Sequence, residues 1–202
     1  MLHITSLLNL SDYKQLSNCL GQFADIGGVI DYIPKLFAGI PTTDDHRMAA
    51  ITAMKIIDQT LEQQAIAYAS EAYPIDQFFR ISMDSNKLSD TPIPFSEFWG
   101  SDDVQKKRLG TNSWKVPNVD GYKRAFFLPP YGLYGNADFL RLFEDINLDL
   151  FGLEPEQCTV YRWSTNWSNY FEAGLEWWGA FYWTVYAPET RLLTTIGASA
   201  TD

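Results

Sequence analysis

Three stretches decide how this chain folds: Cys158-Thr-Val-Tyr-Arg-Trp163, Trp177-Trp-Gly-Ala-Phe-Tyr-Trp-Thr-Val-Tyr186 and Arg191-Leu-Leu-Thr-Thr-Ile-Gly-Ala198. Five of the seven tryptophans of the chain fall between Thr159 and Ala200. Aromatic and β-branched side chains pack well on a pleated surface, so each stretch is predicted to be a strand. Ala187-Pro188-Glu189-Thr190 is the expected turn between the last two, because Pro188 lacks an N–H and sets its own φ. Along the middle stretch Trp178, Tyr182, Thr184 and Tyr186 alternate with Trp177, Phe181, Trp183 and Val185. Both faces are apolar, which predicts a strand covered on both sides, the alternative being an exposed aromatic surface.

Upstream, the strongest helix signal spans 43–69. Thr42 and Asp45 have capping-box spacing after Pro41, and Asp44 and Asp45 suit the helix dipole. Ala50, Met54, Ile57, Leu61, Ala65 and Tyr68 form one apolar stripe, while Asp58 and Glu62 share the outer face. Shorter helices are expected over 11–20, capped by Ser11-Asp12 and stopped by Gly21, over 101–108, and from an Asn136 cap through Phe139, Leu142, Phe143 and Ile146. Phe95 to Gly100 reads as one helical turn. Phe78–Met83 and Tyr122–Leu128 read as further strands, and Val29–Ile33 is open between strand and helical turn. Thr91-Pro92-Ile93-Pro94 must be extended. Helices followed by strands, without regular alternation, predict an α+β fold. Its sheet is mainly antiparallel and built largely from the aromatic C-terminal half, with helices including 43–69 covering one face, all in a single domain over 1–202.

The formal net charge is −10, from 25 acidic and 15 basic residues. Binding to nucleic acid requires neutralisation of phosphates, so neither DNA nor RNA is expected as a partner, and an anionic membrane surface is equally disfavoured. No apolar run reaches the length of a membrane span, and Met1–Leu8 lacks the basic flank of a signal peptide, so a cytoplasmic location is expected. Cys19 and Cys158 are too few and too far apart for a disulfide framework.

The sequence holds no nucleophile elbow, phosphate-cradling glycine loop or zinc spacing, and no catalytic residue, cofactor or metal is predicted. Asp145, Asn147, Asp149 and Glu156 imitate calcium-loop spacing, but Leu150 stands where the sharp turn requires glycine, and a helix end is the preferred reading. His46, in the first turn of the long helix, is expected to be neutral. Cys158 reads as a small buried hydrophobe.

Excess acid with surplus aromatic residues predicts a protein-interaction domain. By analogy of composition it is of the immunity or inhibitor type, binding and blocking a basic partner protein. The expected contact residues are Trp99, Asp102, Asp103, Trp114, Trp167, Glu172 and Glu176. An alternative is a small-ligand or carbohydrate-binding protein, or a hydrolase, with a pocket lined by Trp114, Tyr131, Tyr134 and Trp167. Glu172 and Glu176 among aromatic rings would suit a sugar. A third is a homo-oligomer pairing an apolar strand face across a two-fold axis.

Overall fold

In the computed structural model of the protein, the residues described are 13–104, 121–134 and 138–199. They form six helices, α1 (Lys14–Asp25), α2 (Thr43–Tyr68), α3 (Phe95–Trp99), α4 (Tyr122–Phe127), α5 (Phe139–Phe151) and α6 (Glu172–Trp177). The strands are β1 (Ile30–Leu36), β2 (Asp90–Ile93), β3 (Thr159–Trp163), β4 (Phe181–Ala187) and β5 (Leu192–Ala198). All five join one antiparallel sheet in the order β1-β5-β4-β3-β2. The fold is therefore α+β, and the aromatic C-terminal stretch supplies the three central strands.

The β4–β5 hairpin sets the register. Ala187 faces Leu192 across a turn of Pro188 to Arg191, in which Arg191 takes a left-handed conformation (φ 56). The turn lies one residue later than the sequence suggested. Side chains then alternate between two buried faces, as both faces of β4 demanded. Trp183, Val185 and Ala187 enter one core with Leu192, Ile196 and Val160. Tyr182 enters the other with Ile33 and Trp163.

Helix α2 covers the second face through Ala50, Ala53, Met54 and Ile57. Its capping box is complete: Thr42 accepts from the Asp45 N–H, and the Asp45 carboxylate accepts from the Thr42 N–H at 2.8 Å. The apolar stripe weakens toward its end, where Tyr68 is exposed. The opposite face is covered as well, by α1, α3, α4 and α5, so the expectation of helices on one face gives way to the two-sided cover that the apolar faces of β4 predicted. With β4 enclosed on both sides by its own chain, its faces are not available for pairing across a two-fold axis.

Several expectations are corrected. Tyr122–Phe127 is a helix, not a strand, with Tyr122, Ala125, Phe126 and Phe127 all buried. Rings recurring at one-turn spacing pack around Phe143 and Phe98, and this packing overrides local β preference. Phe78–Met83 does not form a strand either, and Met83 makes a single isolated bridge to Ser168. Its backbone bonds to side chains instead: the Ile81 N–H donates to Asp58, the Ser82 N–H to Asn169, and Asn169 Nδ2 donates to the Arg80 carbonyl.

Helix α1 runs through Gly21, because Phe23 beyond it is fully buried. Trp177 belongs to α6, so the central strand starts only at Phe181. Val29–Ile33 resolves as the start of β1, and Pro92 sits in the edge strand β2. Helix α5 is capped by Asp138, whose side chain accepts from the Arg141 N–H. Asn136, the Ser11-Asp12 cap and the 105–108 end of the expected helix over 101–108 lie outside the described residues.

Candidate functional site

Two surfaces gather candidate side chains. The first is a cleft of about 350 Å³ between residues 82–87 and residues 165–175. Its two walls are stitched by backbone hydrogen bonds, from the Asp84 N–H to the Trp167 carbonyl (2.7 Å) and from the Asn169 N–H to the Ser82 carbonyl (3.3 Å). Asn169 adds the side-chain bonds to Ser82 and Arg80 already described. Trp167 and Glu172, both expected site residues, line this cleft. Glu172 is exposed, whereas Trp167 is 2% exposed, packed on Phe171 and Tyr182, and cannot serve as an exposed anchor. Its indole N–H is buried without a hydrogen-bond partner among the described residues. Buried donors are almost always paired, so this one stands out.

The second surface lies at the C-terminal end of α5. Asp145, Leu148 and Asp149 fall at one-turn spacing on that helix, and Leu153 and Glu154 follow it. Gly152 ends the helix at φ 75, and a Cβ there would collide with the Glu189 carboxylate. Glycine thus admits Glu189 over the helix end, where it accepts from the Leu153 N–H at 2.7 Å. The charges act on their neighbours. Burial and the Asp145 charge raise the Asp149 carboxyl above its ordinary range. Burial, with Glu156 and Glu189, pushes the Cys158 thiol up to about 12. Leu148 and Leu153 stand exposed among these acids, at 47% and 77%. The calcium-loop pattern is a helix here, with Asn147 turned inward to donate to the Phe143 carbonyl.

The remaining expected residues scatter. Trp99 is half-buried, with its ring against Phe95, Tyr122 and Phe143. The Lys123 ammonium lies 5.0 Å from its ring centroid and pairs with Asp102. Asp102 thus compensates a buried lysine, while Asp103 is exposed beside it. Tyr131 and Tyr134 are exposed, Tyr134 against Gly27 at the end of α1, and neither joins Trp167 in the cleft. Glu176 lies on α6, but its side chain and all of Trp114 fall outside the described residues.

His46 is fully buried beneath the sheet. Its Nδ1 meets Thr184 Oγ1 at 2.8 Å, and Trp163 Nε1 donates to the same oxygen at 2.9 Å. Burial holds its pKa at about 4 against the opposing charge of Asp45, so the neutrality expected from the helix dipole has burial as its main cause. On the same side of the sheet Tyr170 donates to Asp31 at 2.7 Å, and burial raises that carboxyl to about 6. Among the described residues no helix is long and apolar enough to cross a membrane.

No protein-family model matches the chain, and no curated protein matches it in sequence. Among solved structures, a crystal structure of citrus MAF1 aligns at 13% identity over 93% of this chain and 99% of that one, with a TM-score of 0.33. Superposition at that level establishes no common fold.

Proposed function

We propose that the chain is an acidic interaction domain of the inhibitor or immunity type, which binds a basic partner protein through the face at the C-terminal end of α5. The observation that carries this reading is the exposure of Leu148 and Leu153 beside carboxylates: Glu189 accepts from the Leu153 N–H, Glu154 follows Leu153 in the chain, and Asp149 neighbours Leu148 on α5. Apolar contacts flanked by like charge favour a partner with a basic rim around an apolar centre. The internal ion pairs point the same way. Arg80, Lys87, Lys123, Arg141 and Arg162 are each engaged with a carboxylate of this chain, which leaves the net charge of −10 unchanged and fixes five of the fifteen basic side chains away from a partner. Trp99 and Trp167 serve the core in this reading, and Tyr131 and Tyr134 remain as exposed rings outside the α5 face.

Affinity capture from source-cell lysate at low and high salt tests the proposal, using wild-type chain and the Asp149→Lys/Glu156→Lys/Glu189→Lys variant. A basic protein should be retained by the wild type at low salt. It should be released as ionic strength approaches about 1 M, where screening shortens to about 3 Å. The variant should not retain it. Retention unchanged by salt and by charge reversal would exclude charge-guided recognition. Sedimentation under the same conditions tests self-association.

A further inference from the structure

We infer that the cleft between residues 82–87 and 165–175 is a binding site for a small neutral polyhydroxylated molecule of the sugar class. This site is separate from the α5 face, and the inference does not depend on the function proposed above.

The volume, about 350 Å³, falls at the low end of ordinary small-molecule sites, which run from about 300 to 1,000 Å³. The walls are tied to each other within the chain by the hydrogen bonds between Asp84 and Trp167 and between Ser82 and Asn169. Preorganisation removes an ordering penalty on binding.

The lining offers a matched set of groups. Thr165, Asn166 and Glu172 make no side-chain hydrogen bond among the described residues. Together they present a hydroxyl, an amide that both donates and accepts, and a carboxylate that accepts. Adjacent hydroxyls of a sugar need this alternation of donors and acceptors. Trp167 forms part of the wall, and its indole N–H, buried without a partner among the described residues, reports on the cleft without reaching into it. Met83 and Leu175, the latter 56% exposed, supply apolar contact for a ring's C–H face.

Charge selects against other ligands. Glu172 opposes a phosphate, and the one lysine of the lining, Lys87, lies 3.5 Å from the Asp84 carboxylate and is partly compensated. The buried Trp167 ring offers no stacking face for a nucleobase.

The test is an NMR titration of the full chain with assigned backbone and indole resonances. Glucose, galactose, mannose, N-acetylglucosamine, maltose and cellobiose are the probes, with inorganic phosphate and glucosamine as charged comparisons. At least one neutral sugar should shift the Trp167 indole N–H and the Asn166 amide saturably, with a Kd of about 1 mM or below. Asn166→Ala and Glu172→Ala, both at exposed positions, should each weaken that Kd by about tenfold or more while leaving the remaining spectrum unchanged. Absence of a saturable shift with every neutral sugar would overturn the inference. So would shifts that persist equally in both variants, or binding confined to phosphate or glucosamine.

Discussion

The two faces of the sheet are buried equally well and held together differently. Under α1, α3, α4 and α5 the core is a mesh of rings. Phe98 stacks on Tyr122 at 5.1 Å between centroids and meets Phe151 and Trp183 edge-on. Phe126 stacks on Phe23 at 4.3 Å. Under α2 the core carries a polar seam. His46 and Trp163 converge on Thr184, Tyr170 donates to Asp31, and Tyr182 donates to the Ala50 carbonyl. The first face holds buried hydrogen bonds too, Tyr32 with Tyr122 and Asn147 with the Phe143 carbonyl, but its rings cohere mainly through area and dispersion, which are non-directional. The second depends on a few directional bonds in a dry place, where one unpaired atom is expensive and a titrating group couples stability to pH.

The largest effect should come from truncating the ring mesh. Phe98→Ala is expected to cost about 3–5 kcal/mol by urea denaturation, through lost contacts and the cavity left behind. A loss below about 1 kcal/mol would show that this face collapses easily and is not close-packed.

Next, Thr184→Val preserves shape but strips the shared partner from His46 and Trp163. It should destabilise by about 1–3 kcal/mol on the same assay, the penalty for buried polar groups left unmatched. A neutral outcome would mean that the seam contributes nothing beyond its packing.

A subtler measurement probes the polar face by pH. The His46 pKa falls from 6.5 to about 4 on folding, so its contribution is complete above pH 6.5 and is lost as pH falls through about 4. The Asp31 pKa rises from 3.8 to about 6, so its contribution is complete below pH 3.8 and is lost as pH rises through about 6. Between pH 4 and 6 the two slopes oppose each other. Asp31→Asn should therefore unmask the His46 slope, and its urea midpoint should climb more steeply than that of wild type from pH 4 to 6. Parallel profiles for the two proteins would contradict the opposition.

The smallest change is expected outside both cores. Arg80→Ala breaks the bridge to Asp58 and Glu62, but the arginine side chain is 48% exposed and the loss should stay below about 1 kcal/mol. A larger loss would mean that the segment before Met83 is anchored by this pair more than by its backbone bonds.

Legibility followed locality. The capping box of α2 needs Thr42 and Asp45 alone, and the β4–β5 hairpin needs one turn between two apolar runs. Both were readable in the sequence. The strand expected over 122–128 failed because ring-rich composition favours a sheet only when a neighbouring strand is there to pair, and here Phe143 and Phe98 stand there instead. Phe78–Met83 failed for the related reason that Asp58 and Asn169 satisfy its backbone. Of the cleft, Trp167 and Glu172 were legible as an aromatic beside a carboxylate. The opposite wall was not, since nothing local ties residues 82–87 to Ser168. The acids at the α5 end were missed too, because Leu148 and Leu153 read as core residues and only the fold leaves them exposed.

By itself the sequence determined the long capped helix, the aromatic antiparallel hairpin and the negative charge, because each arises from neighbouring residues or from composition. The tertiary structure decided which aromatic segments pair and which coil, which helices cover each side of the sheet, and which expected contact residues face solvent. Those outcomes depend on partners distant in the chain, and burial of Trp99 and Trp167 is set by what packs over them.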